Sequence, residues 1–177
     1  MEARPVRGGQ YDFGEVSSLD AEAIGPPGQR RFRLSILKGR QSASLWLEKE
    51  QLHALGTAVE QQLVRSDRQR RRAELPADDA APPFPLKPDA DLRVAQLALG
   101  YDEARSLFLI QAATIDVDSQ TQAGFTCAAD HRQARRLTRV INQLMAAGRP
   151  ACPLCGAPIE GVHRCPRSNG HAEIALL

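Results

Sequence analysis

Arg30-Arg31-Phe32-Arg33-Leu34-Ser35-Ile36-Leu37-Lys38-Gly39-Arg40-Gln41-Ser42-Ala43-Ser44-Leu45-Trp46-Leu47-Glu48 is the stretch that sets the fold class. Phe32, Leu34 and Ile36 alternate with Arg31, Arg33 and Ser35, and Ala43, Leu45 and Leu47 alternate with Ser44, Trp46 and Glu48. Successive side chains of a strand point to opposite faces, so a period of two gives each segment one apolar and one wet face. Lys38-Gly39-Arg40 turns the chain between them, making Arg30 to Glu48 a β-hairpin.

Downstream the period changes. Leu52, Leu55, Val59 and Leu63 fall three and four apart and line one side of a helix from Lys49 to Arg65. Its polar continuation, Arg65 to Glu74, holds Arg68, Arg70, Arg71 and Arg72, cations that offset the helix dipole or form an anion-binding patch. Residues 76–88 contain five of the twelve prolines and can neither extend a helix nor pair in a central strand, so they form a surface loop. Leu92 to Leu99 and Arg105 to Ile115 are apolar on both faces, which predicts two central strands joined by a tight hairpin at Gly100 to Ala104. Ala123, Phe125 and Cys127 continue as a shorter strand. Asp130 and Gln133 have capping-box spacing, and Ala134, Leu137, Val140, Ile141, Leu144 and Met145 give a second helix from Asp130 to Ala147, stopped by Gly148 and Pro150.

Upstream of the hairpin, Tyr11 to Val16 and Asp20 to Ile24 read as short strands, and Gly25-Pro26-Pro27-Gly28 supplies a reversal. The expected fold is therefore α+β: a mostly antiparallel sheet of six or seven strands with two helices over residues 1–148, followed by a zinc-binding knuckle or ribbon over residues 149–177.

The tail carries the chemistry. Cys152-Pro153-Leu154-Cys155-Gly156 is followed by His163-Arg164-Cys165-Pro166. A CxxC turn lets two thiolates reach one ion, and seven residues separate it from the second pair, enough to fold back. Cys152, Cys155, His163 and Cys165 thus predict a closed Cys₃His shell typical of structural zinc, with His171 as the competing fourth ligand. Pro153, Gly156 and Pro158 oppose the helix a redox CxxC would need. His171-Ala172-Glu173 with the CxxC imitates a zinc deaminase, but the order is reversed and Ala151, not Pro, precedes the first Cys. Cys127 lies on an apolar strand face and reads as a core residue, while His53 and His131 read as plain surface residues.

Composition excludes broad classes. Apolar content of 42% with 25% charged residues is that of a globular chain, not a disordered or fibrous one. No stretch approaches the roughly 18 apolar residues of a membrane span, so no membrane association and a cytoplasmic location are expected, where clustered thiols bind metal rather than pair. The net charge of +2 is uneven, since residues after 120 carry seven arginines against Asp130, Glu160 and Glu173.

Gly25-Pro26-Pro27-Gly28-Gln29-Arg30, Leu47-Glu48-Lys49-Glu50-Gln51, Leu97 to Asp102, Ala147-Gly148-Arg149-Pro150 and the tail from Cys152 to Gly170 together resemble an uncharacterised bacterial family, domain of unknown function 3090. The resemblance covers nearly the whole chain and implies no assigned reaction. Two departures stand out: the N-terminal segment is only loosely family-like, and Ala151 stands where the family often has Pro. Genes of the family tend to accompany a phosphomutase-like and a kinase-like protein, which implies a phosphate-handling protein partner.

Three functions follow. The leading expectation is a zinc-stabilised, non-enzymatic binding or scaffold protein presenting Arg149, Arg164, Arg167 and Asn169 on a rigid knuckle. Nucleic-acid binding through that cluster is the second, weakened by the lack of Phe, Tyr or Trp in the tail for base stacking. The third is an enzyme or accessory subunit acting on a phosphorylated small molecule, with Arg30, Arg31 and Arg33 or the run after Arg65 as anion clamps.

Overall fold

Strands form where period-two patterning places them, and the computed structural model describes residues 10–26, 29–69, 81–118, 120, 122–147 and, in the tail, 152, 154–155, 163–167 and 173–174. The order is β1 (Gln10–Glu15), β2 (Ser18–Ile24), β3 (Arg31–Lys38), β4 (Gln41–Leu47), α1 (Lys49–Gln69), β5 (Ala90–Asp102), β6 (Leu107–Asp116), β7 (Gln122–Ala129) and α2 (His131–Ala146). The tail adds β8 (His163–Arg164) and β9 (Glu173–Ile174). Helix α1 runs one turn past the expected Arg65, carrying the backbone of Arg68 into the helix, while Arg70, Arg71 and Arg72 lie outside the described residues.

Seven strands make one sheet in the order β1-β7-β6-β5-β4-β3-β2. The expectation of a mostly antiparallel sheet needs one adjustment, because the sheet is mixed. The β2–β3, β3–β4, β5–β6 and β6–β7 pairs are antiparallel, whereas β4–β5 and β1–β7 are parallel. The first parallel pair follows from α1, since a helix between neighbouring strands returns the chain to its starting end.

Strands β1 and β2 are consecutive in sequence yet occupy opposite edges of the sheet. Only Val16 and Ser17 join them, so three peptide links, at most about 11 Å, span the two edges. The sheet must curl to bring them together. Val16 N–H donates to Ala128 O on the β7 side at 2.9 Å, and Ser17 N–H to Leu37 O on the β3 side at 2.8 Å.

The concave face holds Phe13, Leu19, Leu34, Ile36, Leu45, Leu92, Ile110 and Phe125, all at most 2% exposed. Leu52, Leu55, Val59 and Leu63 of α1 and Ala134, Leu137 and Ile141 of α2 complete that core. The helices approach closely at Gly56, where an added Cβ would stand 2.8 Å from Ile141 Cγ2. The capping box forms as the spacing predicts: Asp130 Oδ1 accepts from Gln133 N–H at 2.8 Å, and Gln133 Oε1 accepts from Asp130 N–H at 2.9 Å. The same Gln133 amide donates to Val16 O at 2.9 Å, tying the start of α2 to the link between the sheet edges.

Strands β5 and β6 are central, but they are not buried on both faces. Leu92 and Val94 point into the core, a bulge falls between Val94 and Gln96, and the inward set then becomes Leu97, Leu99 and Tyr101. An inserted residue reverses the side-chain phase, so a strand with one buried face presents apolar residues at both parities. The turn sits at residues 103–106 rather than Gly100 to Ala104, with Ser106 at φ 58° and Asp102 Oδ1 accepting from Arg105 N–H at 3.0 Å.

Replacing Gln133 by Leu keeps the volume but strands Val16 O and Asp130 N–H, and is expected to lower unfolding stability by about 1–3 kcal/mol in denaturant titration. Gly56→Ala forces the helices apart and should cost about 1–3 kcal/mol by the same measurement.

Candidate metal centre

Leu154 and Cys155 form a turn, and a second turn at Pro166 and Arg167 directly follows Cys165. Strand β8 brings the chain into that second turn, pairing antiparallel with β9 through His163↔Ile174 and Arg164↔Glu173. Arg167 Nη1 donates to Leu154 O at 3.3 Å, a direct tie between the two turns.

The arrangement gathers three thiols. The Sγ atoms of Cys152, Cys155 and Cys165 lie within 4.8 Å of one another, and those of Cys152 and Cys165 are 3.6 Å apart. A tetrahedral zinc–thiolate centre with bonds of about 2.3 Å requires sulfurs about 3.8 Å apart, whereas a disulfide needs about 2.05 Å. Cys152 and Cys165 are 2% and 4% exposed, and Cys155 is half-buried. Three sulfurs, two of them buried and all within 4.8 Å of one another, could hold a metal ion.

Their electrostatics agree. Burial pushes the Cys152 thiol up, but backbone N–H groups of Cys155 and Leu154, joined by the Cys155 and Cys165 thiols, outweigh it and bring it down to about 6. Cys165 is raised by burial, and by the Cys152 and Cys155 thiols, against a lowering contact from the Arg167 amide. One sulfur is therefore a thiolate at neutral pH, the form that binds metal, and a bound cation would favour ionisation of the others.

Of the remaining predicted residues, His163 has its backbone in β8, two positions before Cys165, while its side chain lies outside the described atoms. His171, Arg149 and Asn169 lie outside the described residues. Cys127 is buried in β7, as its apolar strand face predicts, and burial followed by the charge of Asp12 pushes its thiol up to about 12. His53 is exposed on α1.

His131 corrects the sequence reading, because it is buried at 8% exposure rather than on the surface. Its Nε2 sits 3.0 Å from Ser66 Oγ and 3.4 Å from Tyr101 OH, with the Phe108 ring edge-on at 5.1 Å. The first residue of a helix usually faces solvent, and only the meeting of α1, α2 and the β5–β6 hairpin end encloses this one. Ser66 Oγ donates to Leu63 O at 3.1 Å and is itself 3% exposed, so this serine–histidine pair bridges packed elements.

The arginines of the proposed anion clamp have partners within the protein, and Arg31 and Arg33 share the Trp46 ring. Arg30 Nη1 donates to Ala147 O at 3.0 Å, Arg31 lies over the Trp46 ring at 4.1 Å, and Arg33 pairs with Glu22 at 2.6 Å.

The family model described as "Protein of unknown function (DUF3090)" matches residues 11–165. The chain belongs to that family. No curated protein and no solved structure matches it. The DUF3090 match ends at Cys165, so the three clustered cysteines and His163 all fall inside it. Among the described residues, no helix is long and apolar enough to cross a membrane.

Thiol alkylation at neutral pH should modify the three tail cysteines after chelator treatment and be strongly slowed by added zinc. Cys127 should react only after unfolding, as read by intact mass.

Proposed function

We propose that this DUF3090 protein is a non-enzymatic binding or scaffold protein whose tail, residues 149–177, folds around one structural zinc ion held by Cys152, Cys155, His163 and Cys165. The observation that carries the reading is the gathering of three thiols within 4.8 Å. Sulfur-rich tetrahedral sets select zinc, which brings no redox chemistry, and an imidazole completing the shell leaves no position for a reacting water. In finger peptides such binding contributes about 10 kcal/mol, enough to order a segment with little apolar core.

In this role the metal shapes a surface, with Arg167 held across the two turns by its contact with Leu154 O. The partner is another protein, and the family resemblance directs attention to phosphomutase-like and kinase-like proteins. A reducing, cytoplasmic setting suits the free thiols. The phosphorylated-substrate reading loses support because Arg33 is paired with Glu22 and Arg30 donates to the backbone carbonyl of Ala147.

Metal analysis of purified variants tests the ligand set. Cys155→Ser and His163→Ala should each lose most of the zinc while far-ultraviolet circular dichroism and the main melting transition persist, and His171→Ala should retain it. Zinc loss in His171→Ala but not in His163→Ala would reverse the fourth ligand. A phosphate-ester turnover that tracks zinc content would contradict the non-enzymatic role.

A further inference from the structure

The proline-rich segment that leads into β5 is used neither by the helical core nor by the metal tail. Ala81-Pro82-Pro83-Phe84-Pro85-Leu86-Lys87-Pro88 holds four of the twelve prolines. Residues 81–85 form no helix, strand or turn. Proline locks its own φ at about −65° and drives the residue before it into the extended region. Pro82, Pro83 and Pro85 thereby restrict their own backbones and those of Ala81, Pro82 and Phe84, which sets residues 81–85 toward polyproline II geometry.

Such a helix has three residues per turn and hence three edges. One edge is spent on the protein itself. The Phe84 ring lies 4.9 Å from Arg33 Cζ, and Phe84 and Pro82 wall an open cavity of about 350 Å³ over β2 and β3 on the convex side of the sheet. Just past the segment, Asp89 Oδ2 accepts from Ser42 N–H and Ser42 Oγ, both at 2.8 Å, and Asp89 N–H donates to Ser42 Oγ at 3.1 Å. The run is therefore held at Phe84 and again at Asp89. The other two edges carry Pro82 with Pro85 and Pro83 with Leu86, and of these four only Pro85 is half-buried. Leu86 is fully exposed, whereas Val64, the next most exposed large apolar side chain among the described residues, stands at 51%. Lys87 follows, exposed and without an ion-pair partner among the described residues. A single exposed leucine is ordinary; one held out on a stiffened, anchored run of prolines beside a lysine is what polyproline ligands present to aromatic grooves.

We propose that residues 82–87 are a docking motif for a partner protein bearing a groove lined by aromatic side chains. Pro82 and Pro85 on one edge and Pro83 and Leu86 on the next lie against the aromatic rings, and Lys87 pairs with a carboxylate at the end of the groove. The anchors at Phe84 and Asp89 lower the ordering cost that a loose peptide meets on binding. The inference rests on the reading of this chain as a protein-binding protein, but not on its metal tail.

Two unrelated proline-reading modules, an SH3 domain and a WW domain, serve as probes. Each is titrated into the full-length protein, with calorimetry and backbone amide NMR shifts as readouts. At least one should bind saturably, with shifts centred on Phe84, Leu86 and Lys87, and the same domain with its groove tryptophan replaced by alanine should not bind. Leu86→Ser and Pro83→Ala, both at exposed positions and checked for an unchanged melting curve, should each weaken binding about tenfold. Cys155→Ser should leave it unchanged, which separates failure of this motif from failure of the tail reading. Binding by neither probe, binding undiminished in both segment variants, or binding that disappears with Cys155→Ser would overturn the proposal.

Discussion

The two residues joining β1 to β2 constrain everything else, because they lash together the opposite edges of a seven-stranded sheet. A flat sheet of that width could not meet the condition. Curling creates a concave face that two helices fill, and the chain places α2 there through one side chain: Gln133 completes the helix cap and holds Val16 O. Bringing the edges together also shortens the exposed rows of backbone N–H and C=O groups that would otherwise invite pairing with another chain. The neighbouring hydrogen bonds from Val16 and Ser17 reach β7 on one side and the end of β3 on the other, so the seam is held from both edges.

Three regions use three kinds of cohesion. The concave side is apolar and jigsaw-packed, with Gly56 letting the helices approach and Ile141 filling the space a Cβ would take. The convex side near β2–β4 is polar, built from ion pairs and serine hydroxyls beside the proline-rich segment after residue 81. The described residues of the tail gather sulfur instead. A short segment that cannot bury enough apolar surface needs another source of stability, and metal coordination is the one its residue types supply.

Much of this was legible from local pattern. The Arg30 to Glu48 alternation, the Leu52 to Leu63 stripe, the Asp130–Gln133 spacing and the clustering of Cys152, Cys155 and Cys165 each depend on neighbours close in sequence. What escaped depends on long-range geometry. The parallel β1–β7 pair joins residues more than a hundred positions apart, and no local signal marks it. The bulge in β5 disguised a one-sided strand as a two-sided one. His131 looked solvent-exposed because nothing nearby in sequence announces Ser66 and Tyr101 as neighbours. The convex cavity is equally non-local, assembled from β2, β3 and the segment after residue 81; Arg33, expected as part of an anion clamp, is paired there with Glu22.

The central claim is that the tail metal is structural, with a shell complete in protein atoms. X-ray absorption at the zinc edge of the purified, zinc-loaded protein tests it directly. The account predicts three sulfur scatterers at about 2.3 Å and one nitrogen at about 2.0 Å. A shell with an exchangeable oxygen in place of one of these, or with fewer than three sulfurs, would contradict it.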